Sequence, residues 1–342
     1  MQEAAAGTLR WGVLGAGRIA GQFVAELSST WPGMIAGVAS KDRGRAVALA
    51  GRVDGAEAFA GYEALLEDTR VDAVYIATLH PDHEELIAAA ASAGKHILCE
   101  KPLTVNGQTA QSACDAAAEA GVALVEAMMY RFQPQTEVLR QVLESGSIGT
   151  PLHVDVSCAF AAPFDPTDRL FDPRLGGGAI LDVGCYSVSF ARMVAGWVLG
   201  DDAAEPAKLS GGGHLAESGV DDWAVASLVF AGGFSAQVRT GTRLGDTSEA
   251  VIYGSGGYVR VANPWTPGKD GSTPELVVSR VGGDAPEIIR CAAEPLFGAE
   301  VAALAEAVGV GEAPRMTPRD SVATMRSLDR WRAAVEAPHQ TV

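Results

Sequence analysis

Apolar residues fall along this chain in two textures. Through its first third, short and nearly continuous apolar runs (RWGVL, MIAGVAS, VDAVYIAT, KHILCE, VALVEA) alternate with Ala-rich stretches such as RIAGQFVAEL, RGRAVALAGR, DHEELIAAAASAG and GQTAQSACDAAAEAG. Runs without alternation suit strands buried on both faces, and the interleaved stretches suit the helices that cover them. The pattern therefore predicts βαβ units and a parallel sheet. Beyond residue 130 the period changes: HVDVSCAF, WAVASLVF, FSAQVRT and AVIYGS alternate apolar and polar positions, with Gly-rich turns between them. That is the period of strands wet on one face. Helical stretches are predicted at 135–144, at 187–199 behind GGGAILDVGCY, and at 298–308 and 318–337. The fold class expected is α/β: a doubly wound parallel sheet over 1–127, then an α+β domain over 128–342 with a large, mostly antiparallel open sheet.

A length of 342 residues exceeds one ordinary core and agrees with two domains. With 48% hydrophobic and 20% charged residues, the composition is that of a globular protein. The 26 Lys and Arg stand against 42 Asp and Glu, a net charge of -16. That field repels nucleic acid and anionic membrane, so neither is expected as a partner, and an anionic ligand has to meet a local positive cluster. No uninterrupted apolar window reaches the roughly eighteen residues of a membrane span, and the opening MQEAAAGTLRW has no leader-like basic or apolar region. A cytoplasmic location is the expectation. Five cysteines, Cys99, Cys114, Cys158, Cys185 and Cys291, form no CxxC or Cys/His spacing; they are expected to be reduced, mostly buried thiols without a metal.

Chemistry enters with GVLGAGRIA, which sets Gly15, Gly17 and Ala20 directly after the first strand, at the opening of a helix. Gly15 permits a tight turn, Gly17 lets a pyrophosphate approach the backbone, and Ala20 lets the helix pack close on the strand. Ala16, Arg18 and Ile19 belong to the same turn. This context points to dinucleotide binding by the first domain, a Rossmann domain; a Gly-rich turn that only packs is the alternative. The second strand ends at Ser40, where an acid would hold the ribose of NAD. Ser40 with Lys41 and Arg43 suits the 2′-phosphate of NADP instead, while Asp42 keeps NAD open. TLHPDHEEL brings Thr78, Leu79, His80 and His83 to the carboxyl ends of the strands, where ligands bind in such sheets; helix capping is the alternative use of either histidine. HILCEKPL, residues 96–103, ends a buried strand on Glu100, Lys101 and Pro102 at the same edge. Glu100 and Lys101 count as cofactor contacts there, and Lys101-Pro102 is a candidate cis peptide.

In that order, GAGRIA, AGKHILCEKPL and GGGAILDVGCY resemble the glucose-fructose oxidoreductase / inositol dehydrogenase / MocA (Gfo/Idh/MocA) family, and the resemblance continues through FGAEVAALAEAV and RDSVATMRSLDRWRAA. It implies NAD(P)-linked oxidation or reduction of a sugar, cyclitol or related alcohol. It also implies an open second-domain sheet on which a partner subunit often packs, so a homodimer or homotetramer is expected. Glu100, Lys101 and Pro102 fall on the family's E-K-P signature, and Asp182 on the acid of its D-x-G-x-x motif. Tyr186 stands where many members carry His, similar to the glucose-fructose oxidoreductase, dimeric dihydrodiol dehydrogenase and ketosugar reductase branches. Gln133 and Leu79 are further departures, from a commoner His and a commoner Pro.

Oxidising a secondary alcohol releases a hydride and a proton; nicotinamide takes the first, so the protein supplies a path for the second. Tyrosine, with an unperturbed pKa of about 10, is a poor base alone. An ammonium within roughly 4–6 Å favours its phenolate. Lys101 and Tyr186 are the expected pair. Asp182 precedes Tyr186 by one turn, which puts both on the same face if that turn is α-helical; it is expected to bind a substrate hydroxyl or to hold Lys101. Tyr130, Arg131, Arg169 and Arg174 are candidate substrate contacts, with surface ion pairs as their alternative use. The expected function is an NADP-dependent oxidoreductase of a small sugar, cyclic polyol or dihydrodiol. Two other readings stay open: an idle NADP-binding metabolite sensor, which has no need of Lys101 and Tyr186, and a redox-assisted glycosidase with bound NAD, which needs a different set of bases.

Overall fold

The structure, a computed structural model, describes residues 9–283 and 285–337. The chain runs through β1 (Trp11–Leu14), α1 (Arg18–Thr30), β2 (Ile35–Ser40), α2 (Arg43–Ala50), β3 (Glu57–Ala60), α3 (Glu63–Leu66), β4 (Ala73–Ile76), α4 (His83–Ser92), β5 (His96–Glu100), α5 (Gly107–Glu119) and β6 (Leu124–Ala127). It continues through α6 (Pro134–Glu144), β7 (Pro151–Ala159), α7 (Cys185–Leu199), β8 (Lys208–Leu215), β9 (Asp221–Val229), β10 (Ser235–Gly241), β11 (Ala250–Gly254), β12 (Gly257–Val261), β13 (Glu275–Arg280) and β14 (Glu287–Arg290). Helices α8 (Leu296–Val310) and α9 (Pro318–Glu336) follow. Two compact units result. Of the described residues, the first holds those up to Phe132 together with Pro295–Ser321, and the second holds those between Gln133 and Glu294 together with those from Val322 on.

The first unit is a parallel sheet in the order β3-β2-β1-β4-β5-β6. Because β1 pairs with β2 on one side and with β4 on the other, the winding reverses there, leaving a crevice at the carboxyl ends of those strands where a ligand fits. Strands β1, β2, β4 and β6 are buried along their whole length, as their unbroken apolar runs predict. Phe23 of α1 lies flat on Tyr75 of β4 at 4.0 Å between ring centroids, and Trp11 and Phe297 meet Phe23 edge-on at 5.6 and 5.7 Å. Each such pair adds about 0.5–1.5 kcal/mol beyond burial. Phe297 belongs to α8, and the amide beside it, Gly298 N, donates to Glu26 Oε1 of α1 at 2.8 Å. The expected division at 127/128 lies at the end of β6; the compact first unit runs on to Phe132, and it takes in a late segment whose phenylalanine completes its aromatic core.

The second unit is a sheet in the order β14-β13-β12-β11-β7-β10-β9-β8, antiparallel except where β10 runs parallel to β7. Helix α7 packs on β7 and β10 and is buried from Cys185 to Gly196. The helical segment Pro173–Leu199 has the length and hydropathy of a membrane span, yet 94% of that window is buried in the protein, as befits the core helix of this unit. Period-two burial is clearest on β9. Trp223, Val225 and Val229 are exposed, while Ala224, Ala226 and Leu228 between them are buried. On the exposed face Val229, Ser235, His153, Tyr253 and Tyr258 form one row, each opposite the next on a neighbouring strand. All five cysteines are buried free thiols, as expected.

Candidate active site

In the first unit the Gly-rich turn sits where its sequence places it. Gly15, at φ 106°, occupies a conformation that side chains avoid, and a Cβ there would lie 2.7 Å from the Ala77 carbonyl oxygen of the neighbouring strand end. Gly17 differs. It precedes α1 with ordinary extended dihedrals and no side-chain cap, and a Cβ there would meet nothing within 4 Å. The space kept clear at Gly17 thus faces a helix N-terminus whose first turn carries no acid, a fit for a pyrophosphate. Ala16 and Ile19 are half-buried, Arg18 is exposed, and Ala20 is fully buried against the sheet.

At the end of β2, Ser40 is buried and its Oγ accepts from Asp42 N at 3.1 Å. Asp42 in turn caps α2, accepting from Arg45 N at 3.1 Å, so its carboxylate is engaged at the helix start. Lys41 and Arg43 are exposed beside it. Lys41 Nζ lies 3.2 Å from Asp82, and the hydrogen bond to that carboxylate raises the lysine pKa.

Thr78 and Leu79 are half-buried after β4, and His80 is buried in the short turn His80–Asp82. His83, counted among the cofactor contacts, is only 1% exposed. Its Nδ1 lies 3.1 and 3.2 Å from the Pro102 and Leu103 carbonyls, and Nε2 lies 3.3 Å from the Thr78 carbonyl. Burial holds its pKa below that of free imidazole. The ring lies between the loop after β4 and the loop after β5, and its one N–H in the neutral form donates to a backbone carbonyl on one of those sides.

Glu100, buried at the end of β5, accepts from the Tyr75 hydroxyl and from the Lys101 backbone amide. The Lys101-Pro102 peptide is cis. Leu103 N then donates to Glu126 Oε1 at 2.8 Å, and burial pushes the Glu126 carboxyl up to about 7. Glu126 escaped the sequence reading; its signal was a lone acid inside the apolar run VALVEA. Tyr130 and Arg131 are corrected as substrate contacts. Tyr130 is fully buried, and Arg131, 5% exposed, pairs with Asp320 at 2.8 Å and donates Nε to the Tyr130 hydroxyl at 3.0 Å. Both are consumed in the interior of the first unit.

In the second unit, Asp182 lies in a π-helical turn, Ile180–Gly184, and Tyr186 in the first turn of α7, which begins at Cys185. The single α-turn expected between them is therefore replaced by a wider one, a feature frequent at functional sites. Asp182, 7% exposed, accepts from Arg169 Nη1 at 3.0 Å. Arg169 thereby holds the acid. Arg174 instead pairs with Asp172 at 2.7 Å on the surface. The Tyr186 ring, 8% exposed, packs tilted against Trp265 at 5.6 Å, and Trp265 is fixed by donating Nε1 to the Ser157 carbonyl at 3.1 Å. Asp221, a second residue that the sequence reading missed, receives the Ile180 amide at the start of the turn.

Residues 9–128 match the model of an oxidoreductase family with an NAD-binding Rossmann fold, and residues 136–260 match the GFO/IDH/MocA C-terminal domain. Trans-1,2-dihydrobenzene-1,2-diol dehydrogenase of Mus musculus is 35% identical over 273 residues, 79% of this chain and 78% of the relative. D-xylose 1-dehydrogenase (NADP(+)) 2 of Haloferax volcanii is 33% identical over 323 residues, 94% of this chain and 95% of the relative. Among solved structures, a 3-ketoreductase from Actinomadura kijaniata in complex with NADP and TDP-benzene superposes with a TM-score of 0.83 at 30% identity, covering 96% of this chain and 98% of that one. Matched along both its sheets, and sharing about a third of its residues with dehydrogenases over most of its length, this protein belongs to the Gfo/Idh/MocA family of oxidoreductases.

Proposed function

We propose that this oxidoreductase uses NADP to interconvert a secondary alcohol and a carbonyl on a sugar, cyclic polyol or dihydrodiol, with Lys101 and Tyr186 as its proton-transfer pair. The observation that carries the reading is Tyr186 itself, a phenol packed on Trp265 one turn after Asp182. The relatives support the substrate class: their names specify a dihydrodiol, a xylose and a 3-keto group. The xylose dehydrogenase is named for NADP and the ketoreductase was solved with it. The ketoreductase was also solved with a tyrosine replaced by phenylalanine and with a lysine replaced by alanine or glutamate, the two residue types of the proposed pair. The preference for NADP is further supported by Lys41 and Arg43 standing exposed where Asp42 is engaged as a helix cap.

When bound, NADP supplies or accepts the hydride. In the proposed pair the Tyr186 hydroxyl gives its proton to a substrate carbonyl, or takes one from an alcohol, with the Lys101 ammonium as its partner in the transfer. Asp182, held by Arg169 Nη1 at 3.0 Å, accepts a second substrate hydroxyl and orients the ring. The test is a panel of dihydrodiols, aldoses and keto sugars with NADP and NAD, followed by the absorbance of the reduced nicotinamide. Lys101→Ala and Tyr186→Phe should each lower kcat by about 10²–10⁴-fold. Full activity in both variants overturns the pair, and NADP binding without turnover of any class favours a metabolite sensor.

We also propose that the exposed face of the second sheet is where two copies associate. Its support is the exposed apolar side chains Trp223, Val225, Val229, Tyr253 and Tyr258, which share that face with Asp155, Gln237, Arg239 and Glu249.

A further inference from the structure

The turn that carries Asp182 is held at its start by a carboxylate. Ile180 N donates to Asp221 Oδ2 at 2.6 Å, and Asp221, 7% exposed, opens β9. Two residues before Ile180, Gly178 takes φ 127°, and a Cβ there would come within 2.6 Å of Asp221 Oδ1. The carboxylate is thus fitted against the backbone on both sides of Ala179. From β10 the Thr240 hydroxyl shares its one proton between the Cys158 carbonyl at 3.0 Å and the Ala179 carbonyl at 3.2 Å. The firm hold on the start of the turn is therefore the Ile180 amide on Asp221.

A helix start presents amides without intrahelical partners and favours negative charge. An Asn or Ser would satisfy one such amide without the cost of burying a charge, so the choice of a buried acid calls for a reason beyond capping. We propose that Asp221 is a positioning residue for the reaction, acting through the Ile180–Gly184 turn to hold Asp182 and Tyr186 in register, and that its charge is what tightens that hold. This rests on the reading of Asp182 and Tyr186 as reacting groups.

Burial pushes the Asp221 carboxyl up to about 6; Arg332 of α9 favours its charged form, and Asp222 beside it on β9 opposes it. Below neutrality Asp221 therefore gains a proton, and its bond to Ile180 N falls from a charge-assisted to an ordinary one. The expected result is a loss of kcat on the acid side with a break near that value.

The test uses the whole enzyme with Asp221→Asn and Asp221→Ala. Asn keeps an oxygen for Ile180 N but carries no charge and does not titrate, so it should lower kcat at neutrality to the level the wild type reaches on its acid side and abolish the acid-side loss; wild-type kcat in Asn at neutrality overturns the role of the charge. Ala should lower kcat by about 10²-fold, leave the KM for NADP unchanged and speed hydrogen exchange of the Ile180 amide. A folded Ala variant with wild-type kcat and Ile180 exchange overturns the proposal. So does an acid-side loss that survives in Asn, which decides alone if Ala does not fold. A wild type that binds NADP but turns over no substrate sinks the oxidoreductase reading on which this one rests, whereas failure of the Asp221 variants in an active enzyme sinks this one alone.

Discussion

Glu300, on α8, is fully buried, and among the described residues neither of its carboxyl oxygens has a hydrogen-bond partner. Burial, with Glu100 and Glu26 as its charged neighbours, raises its pKa well above that of a free carboxyl. The folded chain therefore binds this proton more tightly than the unfolded chain does. Its stabilising effect is complete below the unfolded pKa of about 4.3 and is lost as pH rises through the folded pKa. Glu300→Gln should flatten that dependence and raise the melting temperature at pH 8 by about 2 °C or more; an unchanged melt there and at pH 5 would show that Glu300 is ionised in the fold. Single residues of this kind were legible only as anomalies. An acid within FGAEVAAL or VALVEA stands out against apolar neighbours, but the sequence does not say what surrounds it. Tyr130 and Arg131 misled for the converse reason: MYRF has the polarity of a pocket wall, and the Asp320 that absorbs the arginine lies far along the chain.

Helix and strand periods carried further than single residues did. The five apolar runs became strands of one parallel sheet, four of them inner and β6 at its edge, and GAGRIA became a strand-turn-helix, because burial on two sides and a tight turn each leave a local mark. Its two glycines have separable jobs. Gly15→Ala places a side chain at φ 106° against the Ala77 carbonyl and should destabilise the protein by about 1–3 kcal/mol. Gly17→Ala meets no protein atom; the melt should stay unchanged while NADP binding weakens about tenfold, or about 1.4 kcal/mol. Calorimetric titration and a thermal melt on each variant check the crossed pattern, and equal losses of stability would refute it. The π-helical turn at Ile180–Gly184 was not legible. GGGAILDVG carries helical spacing, and the Asp221 carboxylate that receives the Ile180 amide at the start of the turn lies on a strand that follows much later.

At the scale of the whole molecule, the exposed face of the second sheet is the feature with the largest consequence for assembly. Val225→Glu should convert a wild-type dimer to a monomer in sedimentation equilibrium at micromolar concentration, with a melt close to that of wild type; a monomeric wild type refutes the assembly. Alternation made this open face legible in WAVASLVF, whereas the division of the chain was not, since no local period announces that Pro295–Ser321 returns to the first unit. That return has a further meaning for synthesis. Strands β1 to β6 leave the ribosome long before Phe297 does, so the ring that seals Phe23 and Tyr75 arrives only after the whole second sheet has been made. The nucleotide-binding half is thus begun before the second sheet and finished after it, and for that interval its aromatic core stays open to water.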